Sequence, residues 1–244
     1  MTGVSTPALF PRLPCSRRAA TEESPPGATR RPAGRELVRG VAAAVLLFSV
    51  LRLFVVQVYG INSGSMQPTL GVGDYVVASN TVFGAPIPFT SLHLPALRQP
   101  RAGDVVVYRP AGYTPVQDHI KRIIGVPGDT VQMIRGTVFR NGRALREPYA
   151  RRSTKPALPL PVQGPYNFQW QMDALAGTGD RAAYAPTPDD WGPLVVPAGR
   201  YLMLGDDRGG SVDSRHTGFV PRGEIRGRVL AVHGSADWSR IGRL

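Results

Sequence analysis

Two residues of this chain have the types needed for an amine-activated nucleophile. Ser65 lies in the segment SGSMQPTL, residues 63–70, and Lys121 lies in DHIKR, residues 118–122. A serine hydroxyl is a weak nucleophile until a neighbouring base takes its proton, and a lysine amine can be that base only when it is neutral. The pair therefore predicts a hydrolase whose serine is activated by a neutral amine.

Lysine is rare in this chain, which draws attention to Lys121. Of the 29 basic residues only Lys121 and Lys155 are lysines. Arginine keeps its proton in proteins, whereas lysine can lose it once it is desolvated or placed near positive charge. Lowering a lysine pKa from about 10.4 to about 7 takes about 4 to 5 kcal/mol of desolvation or repulsion. An ordinary surface lysine is the alternative interpretation. The neighbours that could perturb the amine are Ile120, Ile123, Ile124 and Arg122.

The N-terminal region is predicted to be a tail followed by a membrane anchor. Residues 1–36 are rich in Pro, Ala, Thr, Gly and Arg without apolar periodicity, which predicts a disordered basic tail. Residues 37–59 read LVRGVAAAVLLFSVLRLFVVQVY. About 21 apolar residues at about 1.5 Å each span about 30 Å, the hydrocarbon core of a bilayer. The only cysteine, Cys15, lies in the tail, so no intramolecular disulfide is possible.

The orientation of the anchor follows from charge. Arginines precede the apolar stretch, which predicts a cytoplasmic N-terminus and an extracytoplasmic remainder. A removable secretory signal is the competing interpretation, because the apolar run 41–51 also suits one. No Ala-x-Ala-like cleavage site follows it, and this favours an uncleaved single-pass anchor.

Residues 60–244 are predicted to form a mainly β catalytic domain. Short apolar runs bounded by Gly, Pro, Asp and Asn are typical of strands, and Asn141-Gly142 predicts a tight turn. The proline-rich region at about 143–196 is predicted to be a cap or insertion on the β core, and residues 81–100 an irregular apolar loop. The predicted strands are 74–78, 104–108, 119–126, 130–134, 137–140, 201–204 and 229–232.

The strongly basic composition does not by itself decide which class of partner the protein binds. The 244 residues carry a net charge of +12, which suits either nucleic acid or an anionic membrane surface. The charge is spread along the chain with no run of five like charges, and no nucleic-acid-binding module is recognisable. We therefore predict no nucleic acid partner.

Four segments in a fixed order together carry a family resemblance. They are SGSMQPTL from Ser63, RAGDVVVY from Arg101, DHIKRIIGVPGD from Asp118 and GDDRGGSVDSRHTGFVP from Gly205. The chain resembles the bacterial type I signal peptidases over residues 52–234. The resemblance implies a signal-peptidase-like β fold, one transmembrane helix and a plasma membrane location. It also implies removal of signal peptides from exported preproteins after A-x-A-like sites, with no cofactor and with the bilayer and preproteins as partners.

The resemblance also assigns roles to individual residues. It makes Ser65 the nucleophile and Lys121 the general base. Ser63, with the backbone N–H of Ser65, would bind the developing oxyanion, which such donors stabilise by about 3 kcal/mol. Ser211 would orient the lysine amine. Asp213 and Arg215 correspond to a charged pair behind the site, and the positions matching the pocket lining are Ile61, Met66, Leu70 and Ile120.

The chain departs from the family pattern at two places, and other functions stay open. Asn62 stands where a proline is common, and Gly209-Gly210 replace an acidic-and-amide pair. A Ser-His-Asp triad, a specialised maturation peptidase and an anchored β domain that binds peptides without cutting them are the alternatives. A metal site at Asp206, Asp207 and Asp213 is not predicted, since no second ligand set completes it. The oligomeric state stays open. The histidines available to a triad are His93, His119, His216 and His233.

Overall fold

The computed structural model describes residues 33–54, 56–84, 95–111, 117–151, 170–177 and 183–244. The chain divides into two compact units, Met1–Ala44 and Val45–Leu244. The second unit contains two antiparallel sheets. The helices and strands are α1 Ala33–Phe54, β1 Val56–Gly60, β2 Tyr75–Ser79, β3 Val105–Tyr108, β4 His119–Gly125, β5 Thr130–Ile134, β6 Thr137–Arg140, β7 Arg143–Ala144, α2 Gln171–Ala174, β8 Trp191–Val195, β9 Arg200–Leu204, α3 Ser214–Thr217, β10 Val220–Pro221 and β11 Ile225–Gly234.

Helix α1 covers most of the predicted anchor. It begins at Ala33, inside the predicted tail, and ends at Phe54, five residues before the predicted end of the anchor. Val56–Gly60 is strand β1, paired with β2. The physical reason is the alternation of valine with a polar side chain at Val56, Gln57 and Val58, which suits a half-buried strand. The rest of the predicted tail lies outside the described residues.

The length and hydropathy of the helices bear on the predicted membrane anchor. Among the described residues, no helix combines the length and the apolar character needed to cross a bilayer. Between residues 37 and 48, several large apolar side chains of helix α1 are exposed, among them Leu37 at 69% and Phe48 at 65%.

A seven-stranded antiparallel sheet, in the order β1-β2-β11-β3-β4-β9-β10, forms the larger part of the domain. Strand β11 lies between β2 and β3, and so joins the β1–β2 hairpin to the strands that include β4. Strand β3 is buried along its whole length. Its side chains alternate between two apolar clusters, with Val105 and Val107 in one and Val106 and Tyr108 in the other. The sheet is therefore covered on both faces at β3, and the mainly β prediction is confirmed.

A four-stranded sheet, in the order β7-β6-β5-β8, packs around a third apolar cluster that includes Val131, Met133 and Trp191. The predicted tight turn is confirmed: Asn141 and Gly142 have φ of 52° and 77° and connect β6 to β7. Two ends of the predicted cap, Arg143–Ala144 and Trp191–Val195, are strands of this sheet. Within the predicted limits 143–196, residues 152–169 and 178–182 lie outside the described part of the chain.

Candidate active site

Ser65 lies in a single 3₁₀ turn, Gly64–Met66, that follows β1. Apolar side chains attach this turn to the hydrophobic core. Met66 and Leu70 are 2% and 0% exposed and belong to one core cluster. The Leu70 N–H donates to the Met66 carbonyl at 2.9 Å, and the Ile61 N–H donates to the Asp74 carbonyl at 2.8 Å. The backbone around Ser65 is therefore fixed on both sides.

Lys121 lies on β4, opposite Val106 of β3. Its side chain is buried, with 4% of the residue exposed. The Lys121 amine donates a hydrogen bond to the Ser65 hydroxyl at 2.8 Å, although the two residues are 56 positions apart in the chain. The sheet therefore brings together the two groups that the sequence singled out.

Burial changes the acidity of this amine. The pKa of Lys121 falls from 10.5 to about 8, mainly through desolvation by burial; the charge of Arg215 also acts to lower it, while Asp213 and Asp206 act to raise it. With a pKa of about 8, about one amine in ten is neutral at pH 7. Arg122, proposed from sequence as a source of repulsion, instead forms an ion pair with Asp206 at 2.7 Å.

Two further serines lie near the nucleophile. The Ser63 and Ser65 hydroxyl oxygens are 3.2 Å apart. The Ser211 hydroxyl is buried and has no hydrogen-bond partner among the described residues. The Ser211 side chain packs against the backbone of Gly205. If Gly205 carried a methyl group, that group would lie 2.2 Å from the Ser211 hydroxyl oxygen and 2.6 Å from the Ser65 carbonyl oxygen. Only glycine allows the Ser211 side chain and the Ser65 backbone to approach this closely.

The loop 205–211 is tied to the nucleophile turn by side-chain and backbone hydrogen bonds. The Asp207 N–H donates to the Ser65 carbonyl at 3.0 Å. The Asp206 carboxylate accepts from the Thr69 hydroxyl at 2.5 Å and from Arg122 at 2.8 and 2.7 Å. Arg122 directly follows Lys121, so Lys121 and Ser65 are both held to this loop.

A buried ion pair supports the same loop from behind. Arg215 donates to the two carboxylate oxygens of Asp213 at 2.8 and 2.9 Å, and both residues are at most 2% exposed. Burial acts to raise the pKa of Asp213, but the neighbouring Arg215 outweighs it and lowers the pKa to about 2. Asp213 accepts from the Gly205 N–H at 3.0 Å, and Arg215 donates to the Ser211 carbonyl at 3.3 Å. The pair therefore fixes both ends of the loop.

Comparison with known proteins identifies the family of this chain. The family model described as signal peptidase, peptidase S26, matches residues 34–233. The chain belongs to this family. It is similar to a probable signal peptidase I-2 of Synechocystis, with 32% identity over 86% of this chain and 75% of that protein. It is also similar to the signal peptidase I of Leptolyngbya laminosa, with 32% identity over 86% of each chain.

A solved structure was also matched. The crystal structure of a signal peptidase I from Enterococcus faecalis V583 has a TM-score of 0.34 and 27% identity, and the match covers 54% of this chain and 97% of that one. The family match and the relatives show that the chain is a signal peptidase I enzyme, and they confirm the resemblance stated from sequence.

A cleft of about 290 Å³ opens beside the serine and lysine of this signal peptidase. Three of the four predicted pocket residues, Ile61, Met66 and Ile120, line it. Leu70 does not, because it is fully buried in the core cluster beneath Ile61 and Met66. Sequence reasoning missed several lining residues, although most adjoin the two motifs. They are Tyr59, Gly60, Asn62, Gln117 and Asp118.

A Ser-His-Asp triad was an alternative to the serine and lysine pair. Of the described histidines that such a triad could use, His119 lines this cleft. Burial, and then the charge of Lys121, lower the pKa of His119. Its ring lies 5.7 Å from that of Tyr108. The Ser65 hydroxyl accepts its hydrogen bond from Lys121, which favours the amine over an imidazole as the base. His93 lies outside the described residues.

Three aspartates considered as metal ligands each have an arginine partner. Asp206 pairs with Arg122, Asp207 with Arg151 at 3.3 Å, and Asp213 with Arg215. Among the described residues no group of three or more His, Cys, Asp or Glu side chains is arranged to hold a metal ion. These carboxylates therefore serve as hydrogen-bond acceptors that shape the loop.

Proposed function

We propose that this enzyme is a membrane-bound serine endopeptidase that removes signal peptides from exported preproteins after A-x-A-like sites. The observation that carries the proposal is the buried Lys121 amine 2.8 Å from the Ser65 hydroxyl, beside an open cleft. The names of the relatives, signal peptidase I, support the same substrate class.

In the first step Ser65 attacks the carbonyl carbon of the peptide bond to be cut. As the bond from the serine oxygen to carbon forms, the neutral Lys121 amine takes the hydroxyl proton. The carbonyl oxygen becomes an oxyanion, which the Ser63 hydroxyl and the Ser65 backbone N–H stabilise. When the carbon–nitrogen bond breaks, the Lys121 ammonium returns the proton to the departing amine, which leaves an acyl ester on Ser65.

The second step hydrolyses this ester. Lys121, neutral again, takes a proton from water as the water oxygen bonds to the acyl carbon, and the Ser65 oxygen leaves with that proton. Ser211 is proposed to orient the amine, because its buried hydroxyl lies next to Gly205 and the Ser65 backbone. The Asp213–Arg215 pair is proposed as the scaffold that keeps Ser211 in place.

The shape of the cleft suits a small side chain. Its volume of about 290 Å³ is shared by the substrate backbone and side chains, and its apolar lining includes Ile61, Met66 and Ile120. A closely packed wall rejects extra methylene groups because they force strain on the surrounding side chains. We propose that these three residues select small residues before the cut, while Leu70 supports Ile61 and Met66 from the core.

The membrane topology is also proposed, with the N-terminus in the cytoplasm and the β domain outside. The support is the apolar surface of α1, whose seven largest apolar side chains between residues 37 and 48 are each at least 55% exposed. Such a surface is unfavourable in water and is stabilised by lipid. On the same topology, residues 1–36 are the cytoplasmic tail and residues 60–244 the extracytoplasmic domain.

The single cysteine provides a test of this topology. A membrane-impermeant maleimide should label Cys15 only after the membrane is permeabilised. In a C15S background, an added cysteine at the exposed position Ala236 should be labelled in intact spheroplasts. Labelling of both positions from the same side would contradict the topology.

Cleavage of a purified precursor tests the chemistry. The protein should cut a precursor with an A-x-A site, while S65A and K121A should each lose activity by at least about 1,000-fold. The matched controls are Lys155→Ala, the only other lysine of the chain, and Ser239→Ala, an exposed serine. Full activity in both S65A and K121A would refute the mechanism.

An acylating inhibitor separates the remaining alternatives. Labelling of Ser65 without cleavage of the A-x-A precursor would indicate a peptidase with a different substrate. Failure of Ser65 to react, together with peptide binding, would indicate a binding domain that does not cut.

A further inference from the structure

A short segment inside the proline-rich region crosses the loop that supports the nucleophile. We call residues 147–151, which follow β7, the clamp segment. The Arg151 N–H donates to the Asp206 carbonyl at 2.9 Å, and the Arg208 N–H donates to the Arg151 carbonyl at 2.8 Å. The clamp segment is thereby joined by backbone hydrogen bonds to the loop 205–211.

Glu147 fixes this loop through a second contact. Its two carboxylate oxygens accept from Arg208 at 2.9 and 2.7 Å, and the two side chains are only 8% and 4% exposed. Arg208 also donates to the Gly205 carbonyl at 3.1 Å. A bidentate pair between a carboxylate and a guanidinium restricts orientation as well as distance. Glu147 therefore holds the loop at Gly205, the residue in closest contact with Ser65 and Ser211.

Tyr149 reaches the strand that carries the base. The guanidinium carbon of Arg122 lies 3.9 Å from the centre of the Tyr149 ring, a distance at which a cation is attracted to the ring face. The Tyr149 hydroxyl donates to Glu147 at 3.0 Å. Burial and the charge of Glu147 raise the pKa of Tyr149, so the phenol stays neutral. The ring covers one side of Arg122 while Asp206 binds its edge.

These contacts form one connected path to the reacting atoms. Arg122 follows Lys121 on β4, Asp206 binds both Arg122 and Thr69, and the Asp207 N–H binds the Ser65 carbonyl. Because a misplacement of about 1 Å costs about 100-fold in rate, small movements along this path would reach the dyad. We infer that Glu147 and Tyr149 are positioning residues of this peptidase, which hold Arg122 and Arg208 so that the Lys121 amine stays directed at the Ser65 hydroxyl. The inference rests on the proposed function.

Substitution of Tyr149 separates positioning from general stabilisation. We expect Y149L to lower kcat for the A-x-A precursor by about 10- to 100-fold, with KM within about twofold because the cleft walls are untouched. The pH at which kcat is half-maximal should also rise, because a less constrained amine is better hydrated. Y149F, which keeps the ring over Arg122, should restore kcat to within about threefold of the parent enzyme.

Glu147 is tested in parallel. E147Q keeps the size of the side chain and removes its charge, so it should lower kcat in the same direction as Y149L, without changing KM. The matched control is V138A, which removes methyl groups from the fully buried core of the four-stranded sheet. It should lower the melting temperature while leaving kcat of the folded enzyme and the pH midpoint unchanged.

The outcomes distinguish this inference from the proposed function. If the parent enzyme needs Ser65 and Lys121 but Y149L and E147Q keep full kcat and the same pH midpoint, only the positioning role is wrong. If Y149L and Y149F lose equal activity, the ring does not act through Arg122 and the inference also fails. If S65A cuts the precursor as fast as the parent enzyme, the proposed function itself fails.

Discussion

Replacing Lys121 by methionine should stabilise the protein at pH 7 while it abolishes activity. The fold keeps the lysine amine in a buried place that disfavours its charge, and this lowers the pKa from 10.5 to about 8. At about 1.4 kcal/mol for each pH unit, the difference corresponds to about 3 kcal/mol. Methionine has a similar length and no charge to desolvate. Loss of the hydrogen bond to Ser65 costs about 1 kcal/mol, so K121M should gain about 2 kcal/mol of unfolding free energy.

The gain should depend on pH in a defined window. Because the pKa of Lys121 is lower in the folded than in the unfolded state, the unfolded state binds more protons between pH 8 and 10.5. The penalty in the parent protein is therefore fully present below pH 8 and disappears as the pH rises to 10.5. The advantage of K121M should disappear over the same interval.

Urea unfolding at several pH values measures this directly. At pH 7 the melting temperature of K121M should also be about 4 to 8 °C higher, at about 2 to 4 °C for each kcal/mol in a domain of this size. K155M is the control for the loss of a lysine. If K121M and the parent protein differ by the same amount at pH 7 and pH 10.5, or if K121M is less stable at pH 7, the lysine is not perturbed by burial and the reasoning is refuted.

Three further predictions concern activity. If the neutral Lys121 amine is the base, as proposed, kcat should rise about tenfold per pH unit below about pH 8 and level off above it; a flat profile measured from pH 6 to 9 would contradict this. G205A should lower kcat by at least about 100-fold, because its methyl group would displace Ser65, whereas G223A, which has open space around it, should keep full activity. D206N should lower both kcat and the melting temperature, because it weakens a buried pair with Arg122; unchanged values in both assays would show that the pair has no role.

Much of the β domain was predictable from sequence because its strands are short, apolar and bounded by glycine, proline or asparagine. The run 56–60 was not recognised as a strand, since its valines continue the apolar pattern of residues 41–54, which lie in helix α1. Strand β8 was missed for a different reason. It contains Gly192 and Pro193, which read as a loop, and it becomes a strand through pairing with β5.

The approach of Lys121 to Ser65 could be anticipated because chemistry restricts the residue types of the proposed pair, whereas the surroundings of the pair depend on folding. A lysine in a chain that uses arginine almost everywhere else marks a residue whose proton matters. The local sequence does not show that the Arg122 side chain binds Asp206, 84 residues away, instead of lying beside the Lys121 amine. The contacts of Glu147 with Arg208 and of Tyr149 with Arg122 were equally unpredictable, because Glu-Pro-Tyr at the edge of a proline-rich region is typical of a turn. Both depend on long-range packing that periodicity does not encode.

The order of strands in the larger sheet determines when the enzyme can first act. The β1–β2 pair, whose connection contains the Ser65 turn, and the strand that bears Lys121 are not neighbours in the sheet; β11, formed from residues 225–234, lies between β2 and β3. During synthesis, the serine and lysine segments emerge long before the segment that joins their parts of the sheet. A partly made chain therefore holds both Ser65 and Lys121 without the sheet that brings them together, and the two groups can meet only after residues 225–234 have been made and have folded.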